Sequence, residues 1–95
     1  MKIIKLFDST GNFAENKDMA REIRLNQILP SLEKNEHVTL DFFEVDSTTQ
    51  SFIHALISDL IRKRGADVLD KLYFKNCNEL VQKIINIVVE YMQDS

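Results

Sequence analysis

Short runs of β-branched and aromatic residues alternate along this chain with longer stretches of helical period, and that alternation limits the folds open to it. Ile3, Ile4, Leu6 and Phe7 read as a first strand. Residues 37–45, with Val38, Leu40, Phe42, Phe43 and Val45, read as a second. Residues 68–74, with Leu69, Leu72, Tyr73 and Phe74, supply a third. Helical stretches separate and follow them. The order β-α-β-α-β-α predicts an α/β fold, a small and mostly parallel sheet packed by helices through right-handed crossovers. The second strand is apolar on both faces around Phe42 and Phe43, the pattern of a central strand covered on both sides. Ninety-five residues suffice for one domain, 1–95, and two glycines with one proline leave too few turn residues for an all-β chain. A domain this small buries only about 60–65% of its unfolded surface, so its core is thin.

The helices differ in clarity. Residues 8–12 read as a turn after the first strand, and a helical stretch spans 15–33. There Met19, Ala20 and Ile23 share one face, whereas Leu25, Ile28, Leu29 and Leu32 share another. Pro30 removes a helical hydrogen bond, which predicts a kink or two short helices near residues 26–30. Gln50 to Arg64 is the plainest helix: Phe52, Ile53, Leu56, Ile57 and Leu60 form one stripe, and His54, Ser58, Asp59 and Arg62 lie opposite. Gly65 suits its C-terminal cap. Asn76, with Glu79 three residues on, predicts a capping pair for a last helix. That helix has a broad apolar face from Leu80 to Met92, wide enough to be packed deeply or shared with a second copy of the chain.

Charge and composition narrow the function classes. The formal charge is −3, which argues against a phosphate-backbone binder. The basic run Arg62-Lys63-Arg64 precedes Gly65, where cations complement a helix dipole. Arg21 and Arg24, three apart, share a helix face that is either solvated or turned to an anion or a partner. Cys77 is the only cysteine, which suits a reducing cytosol and a small, partly buried side chain better than a nucleophile. No spacing of His37, His54 or the carboxylates gives a metal set, and no glycine-rich loop is present for a cofactor phosphate. The apolar runs at the N-terminus and at 84–89 are too short for a signal peptide or a membrane span. A cytoplasmic protein without metal, cofactor, nucleic-acid or membrane partner is the expectation.

The segment richest in chemistry is Asp46-Ser47-Thr48-Thr49-Gln50-Ser51, where a buried strand runs out into the helix at Gln50. Strand ends of open α/β sheets collect ligands, and a helix N-terminus favours an anion or an attached phosphate. Ser and Thr are also ordinary helix caps, and Ser47 with Gln50 satisfies a capping-box pattern. Four hydroxyls in five positions exceed what one cap requires. Ser51, Thr49 and Ser47 are therefore the candidate phosphorylation or anion sites, with Asp41 and Asp46 as supporting polar residues. Asp41 suits either a strand-end hydrogen-bond acceptor or a perturbed acid or base.

Leu40-Asp41-Phe42, Val45 and Gln50-Ser51-Phe52 resemble the STAS-like family of small bacterial domains of unknown function. Gly11-x-Phe13-Ala14, Ala20-Arg21-Glu22-Ile23-Arg24, Leu72-Tyr73-Phe74-Lys75-Asn76 and Val81-x-x-Ile84-Ile85 resemble it too. That family is in turn similar to the STAS domains of anti-sigma-factor antagonists. In those, a serine in an Asp-Ser-Ser-Gly-like turn at a helix start is phosphorylated by a partner kinase, which switches binding off. The resemblance implies a regulatory protein-binding module. It places the switch serine at Ser51, with Thr49 in place of the aspartate and Phe52 in place of the glycine. Asp46-Ser47 repeats the dipeptide about one helical turn earlier and makes Ser47 a second candidate. The implied partner is a histidine-kinase-like ATP-binding regulator. A small ligand-binding or enzymatic domain using the same strand-end crevice, through Asp41, Asp46 and Ser51, is the alternative expectation.

Overall fold

Three parallel strands, β1 (Lys2–Lys5), β3 (Val38–Asp41) and β5 (Leu72–Lys75), form the main sheet in the order β1-β3-β5, with β3 central. A computed structural model describes residues 1–94. Between β1 and β3 lie a helical turn α1 (Phe7–Thr10), a two-residue strand β2 (Phe13–Ala14), α2 (Lys17–Ile23) and α3 (Leu29–Glu33). After β3 come β4 (Ser47–Thr48), α4 (Gln50–Arg64), β5 and α5 (Glu79–Asp94). The chain is an α/β domain, and its strand pairs are parallel, including a second small sheet of β2 with β4.

The residues expected as a plain turn at 8–12 begin as the turn of helix α1. The expected third strand at 68–74 is a 3-10 helix over Ala66–Lys71 followed by the shorter β5. Val68 anchors that helix in the core, so its apolar side chain serves a helical turn and not a strand. The kink predicted near 26–30 is a π-helical segment at Arg24–Ile28, where the Leu29 N–H reaches the Arg24 carbonyl. Pro30 has no N–H to give, and the extra residue in that turn restarts the helix in a new register just before it.

The largest departure is in how the main sheet is covered. Register places Ile4, Leu40 and Phe74 side by side, with Val38 and Leu72 on the same face. All but the half-buried Phe74 are buried. The opposite face carries Ile3, Thr39 and Tyr73 in register; there Thr39 of the central strand is buried, but Ile3 and Tyr73 on the edge strands are 56% and 43% exposed. The helices thus cover one face of the sheet, while the edge strands of the other face stay open to solvent. The strand order explains this. Right-handed crossovers that always advance in one direction, β1 to β3 to β5, put their helices on the same side. Covering the second face needs a reversal of strand order, and the sheet has none. Phe43 lies past the end of β3 and is exposed, because a turn closed by the Val45 N–H on the Phe42 carbonyl (3.0 Å) directs it outward.

The last helix starts differently from the expectation. Asn76 has a φ of 58°, a left-handed conformation that no N-cap uses. Asn78 caps α5 instead, its Oδ1 accepting from the Val81 N–H at 2.8 Å. Val81, Ile85, Val88 and Met92 are buried against the rest of the domain, while Leu80, Ile87 and Tyr91 remain exposed. No helix among the described residues is long and apolar enough to cross a membrane.

Candidate functional site

The hydroxyl-rich loop divides its side chains among different tasks. Ser47 and Thr48 form β4, paired with Phe13 and Ala14. Thr48 is buried and donates to the Ala14 carbonyl at 2.8 Å. Thr49 is the N-cap of α4, extended at φ −112°, and its Oγ1 accepts from the Phe52 N–H at 3.1 Å. The cap therefore falls two residues after Ser47, because Ser47 is held in a strand pair when the helix begins. Ser51 sits in the first turn of α4 and is exposed. Its hydroxyl has no hydrogen-bond partner among the described residues. Thr49→Ala is expected to cost about 0.5–2 kcal/mol, the usual worth of a side-chain cap. Ser47→Ala should stay within about 0.5 kcal/mol. Urea melts of the two variants check the assignment, and a larger loss for Ser47→Ala would contradict it.

Phe52 explains one departure from the antagonist-like turn. Its side chain is fully buried, so the position after Ser51 serves the core while Ser51 faces out. A glycine there would leave that volume unfilled.

Ser51 opens onto a groove of about 580 Å³ between α2, α4 and α5. Lys17 and Arg21 of α2 lie along one side. Ser51, His54 and Ser58 of α4 lie along the base, and Ile87 and Tyr91 of α5 line the other side. Arg24, only 11% exposed, donates to the Ala55 carbonyl at 2.6 Å and pairs with Asp59 at 3.3 Å, tying the π-helical segment to α4. Arg21 pairs with Asp18 at 3.1 Å, but the Asp18 carboxylate is 90% exposed and water screens the pair. Lys17 makes no ion pair among the described residues. Ser58 Oγ lies 3.3 Å from His54 Nδ1. The sequence singled out Arg21 and Arg24 as a pair, yet only Arg21 keeps an exposed guanidinium. Lys17 and Tyr91 were not foreseen, since nothing in a linear spacing links residue 17 to residue 91.

Asp41 lies elsewhere. It ends β3, flanked across the sheet by Lys5 on β1 and Lys75 on β5. Its Oδ1 accepts from Asn76 Nδ2 at 2.9 Å and from the Phe43 N–H at 3.0 Å. The Asn76 amide above all, with the Phe43 amide and the two lysines, holds its carboxyl below the usual range against the opposing cost of burial. This is an ionised strand-end acceptor, not a carboxyl made basic. The depression it lines, with Lys5, Phe7 and Asn76, does not include Ser51. Asp46 is exposed, and its carbonyl accepts from Asn78 Nδ2 at 2.8 Å, which fixes the cap of α5. Asp41, Asp46 and Ser51 therefore do not converge on one crevice. The Cys77 thiol is pushed up to about 11, mainly by burial and further by the charge of Asp41, so it stays protonated at neutral pH. Among the described residues no group of three His, Cys, Asp or Glu side chains is placed to hold a metal ion.

The lowered carboxyl of Asp41 makes an acid-side prediction. A group held below its unfolded value stabilises the fold above that value and loses the contribution as pH falls through the folded one. The difference in melting temperature between the parent protein and Asp41→Asn should therefore be widest near neutrality. It should close as pH drops from about 5 toward 3. Thermal melts across that range read it, and a gap that widened in acid would refute the assignment.

A family model described as a STAS-like domain of unknown function (DUF4325) matches residues 20–82, two thirds of the chain. The match contains Arg21, Asp41 and Ser51, whereas Lys17 and Tyr91 lie outside it. Searches of the curated proteins and of the solved structures each found no match.

Proposed function

Since the chain belongs to the STAS-like family of domains of unknown function, we propose that it is a regulatory protein-binding module switched by phosphorylation of Ser51. The observation that carries this reading is the state of that serine. Ser51 is exposed, its hydroxyl has no partner among the described residues, and it lies in the first turn of a fifteen-residue helix and borders a groove with Lys17 and Arg21. Thr49 is committed to its cap, and Ser47, whose hydroxyl is also unpaired among the described residues, is only half-exposed and lies in β4, ahead of the helix N-terminus. A phosphoryl group at Ser51 adds about −1.5 to −2 charges at the positive end of α4, where the helix dipole and nearby cations favour it.

The partner on this reading is a histidine-kinase-like ATP-binding regulator that docks at the groove and phosphorylates it. The module acts in the cytoplasm by docking, not by catalysis, and a bacterial source follows from the resemblance alone. Incubation with ATP and a histidine-kinase-like ATP-binding regulator, followed by mass mapping, is expected to place one phosphate on Ser51. Ser51→Ala should abolish it, and Ser51→Asp should weaken the complex. Absence of phosphate from Ser51, Thr49 and Ser47, together with unchanged binding by Ser51→Asp, would end the proposal. The alternative of an enzymatic strand-end crevice gains no support from Asp41 and Ser51 lining separate depressions.

A further inference from the structure

The groove beside Ser51 has two chemically different sides, and together they select a kind of occupant. On α2, Lys17 and Arg21 are four residues apart and so stand one helical turn from each other. On α5, Ile87 and Tyr91 repeat the same spacing, and Tyr91 is 67% exposed. The buried face of α5 is already supplied by Val81, Ile85, Val88 and Met92, so the core has no need of Ile87 or Tyr91. The positive charge is local. Arg24 at the base shares Asp59 with Arg62, Arg21 is only weakly offset by exposed Asp18, and the chain as a whole carries −3.

Resting on the reading of Ser51 as the switch, we propose that this groove binds an acidic amphipathic segment of the partner protein. Its carboxylates pair with Lys17 and Arg21, and its apolar side packs on Ile87 and Tyr91. The same two cations line the groove onto which Ser51 opens. A phosphate there occupies them and repels the incoming carboxylates, which gives the switch its physical means. Nucleic acid is the poorer fit. Two cations release few counterions, the remaining surface is net negative, and one side of the groove is apolar.

Fluorescence anisotropy tests the proposal with three probes. The first is a short fluorescein-labelled peptide carrying glutamates one turn apart, with leucine and phenylalanine on the opposite stripe. The second has lysines in place of the glutamates, and the third is a labelled single-stranded oligothymidylate. The acidic peptide should bind, and more weakly as salt rises. Lys17→Glu with Arg21→Glu, and separately Tyr91→Ala, should each weaken it about tenfold or more while leaving circular dichroism unchanged. Ser51→Asp should weaken it too. The inference is overturned if the acidic peptide fails to bind, binds no better than the lysine peptide, or is outmatched by the oligonucleotide. Phosphate mapping keeps the two ideas apart. Ser51 phosphorylated with no peptide binding removes the groove proposal alone, while peptide binding without phosphate on Ser51 removes the switch alone.

Discussion

Phe52→Ala is expected to remove a large share of the domain's stability, whereas Ser51→Ala, one residue earlier, should leave it almost unchanged. Phe52 is among the largest fully buried side chains, set at the first turn of α4 where the helix enters the core. Truncating a buried phenylalanine costs about 3–5 kcal/mol, from lost transfer energy and the cavity left behind. A small domain has about 5–15 kcal/mol in all, so the loss takes a large part of its margin and lowers the urea midpoint markedly. Ser51 is exposed with no intramolecular hydrogen bond among the described residues, and its truncation should stay within about 0.5 kcal/mol. Urea denaturation of both variants reads the contrast. A cooperative melt for Phe52→Ala near the parent midpoint would show that the side chain is not the anchor proposed here. The pair of results also separates the two roles joined at this turn, one residue for the core and its neighbour for the surface.

The second large effect concerns the sheet. Leu40→Ala, at the centre of β3, should cost about 2–5 kcal/mol, since Leu40 is completely buried under the helices. Ile3→Ala, on the neighbouring strand, should cost less than about 1 kcal/mol, because Ile3 lies on the open face and keeps over half its surface in water. Both are apolar strand residues, and residue type alone would rank them alike. Denaturation midpoints compared at a common slope test this. A loss for Ile3→Ala as large as that for Leu40→Ala would mean that the second face is covered in solution.

Much of the architecture was legible because it rests on period and on single strong residues. The bounds of α4 could be read as Gln50 and Arg64 because one apolar stripe runs its whole length and Gly65 closes it with a φ of 83°. The break ahead of Pro30 was legible because a missing N–H is a property of the residue itself. Strands β2 and β4 were not, since two residues are too few to show a period, and their pairing joins Phe13–Ala14 to Ser47–Thr48 across more than thirty positions. Asn76 and Asn78 look alike as caps in one dimension. Only the strand-end contact with Asp41 assigns Asn76 to the sheet and leaves Asn78 for the helix.

The candidate site divides the same way. Ser51 could be picked out from the hydroxyl-rich loop and the helix that follows it. Its separation from Asp41, and its company of Lys17, Arg21 and Tyr91, could not. By itself the sequence determined an α/β chain with its plainest helix in place, a break before Pro30, and a small acidic domain with an unusual cluster of hydroxyls. Those are local matters of period, backbone chemistry and charge. The tertiary structure decided which hydroxyl stands exposed in the first turn of α4, which face of the sheet stays open, and which cations share a groove with Ser51. The reason is that side chains distant in sequence meet only after strands pair and helices pack. Burial, the largest stabilising term, is a property of those meetings and not of any residue alone.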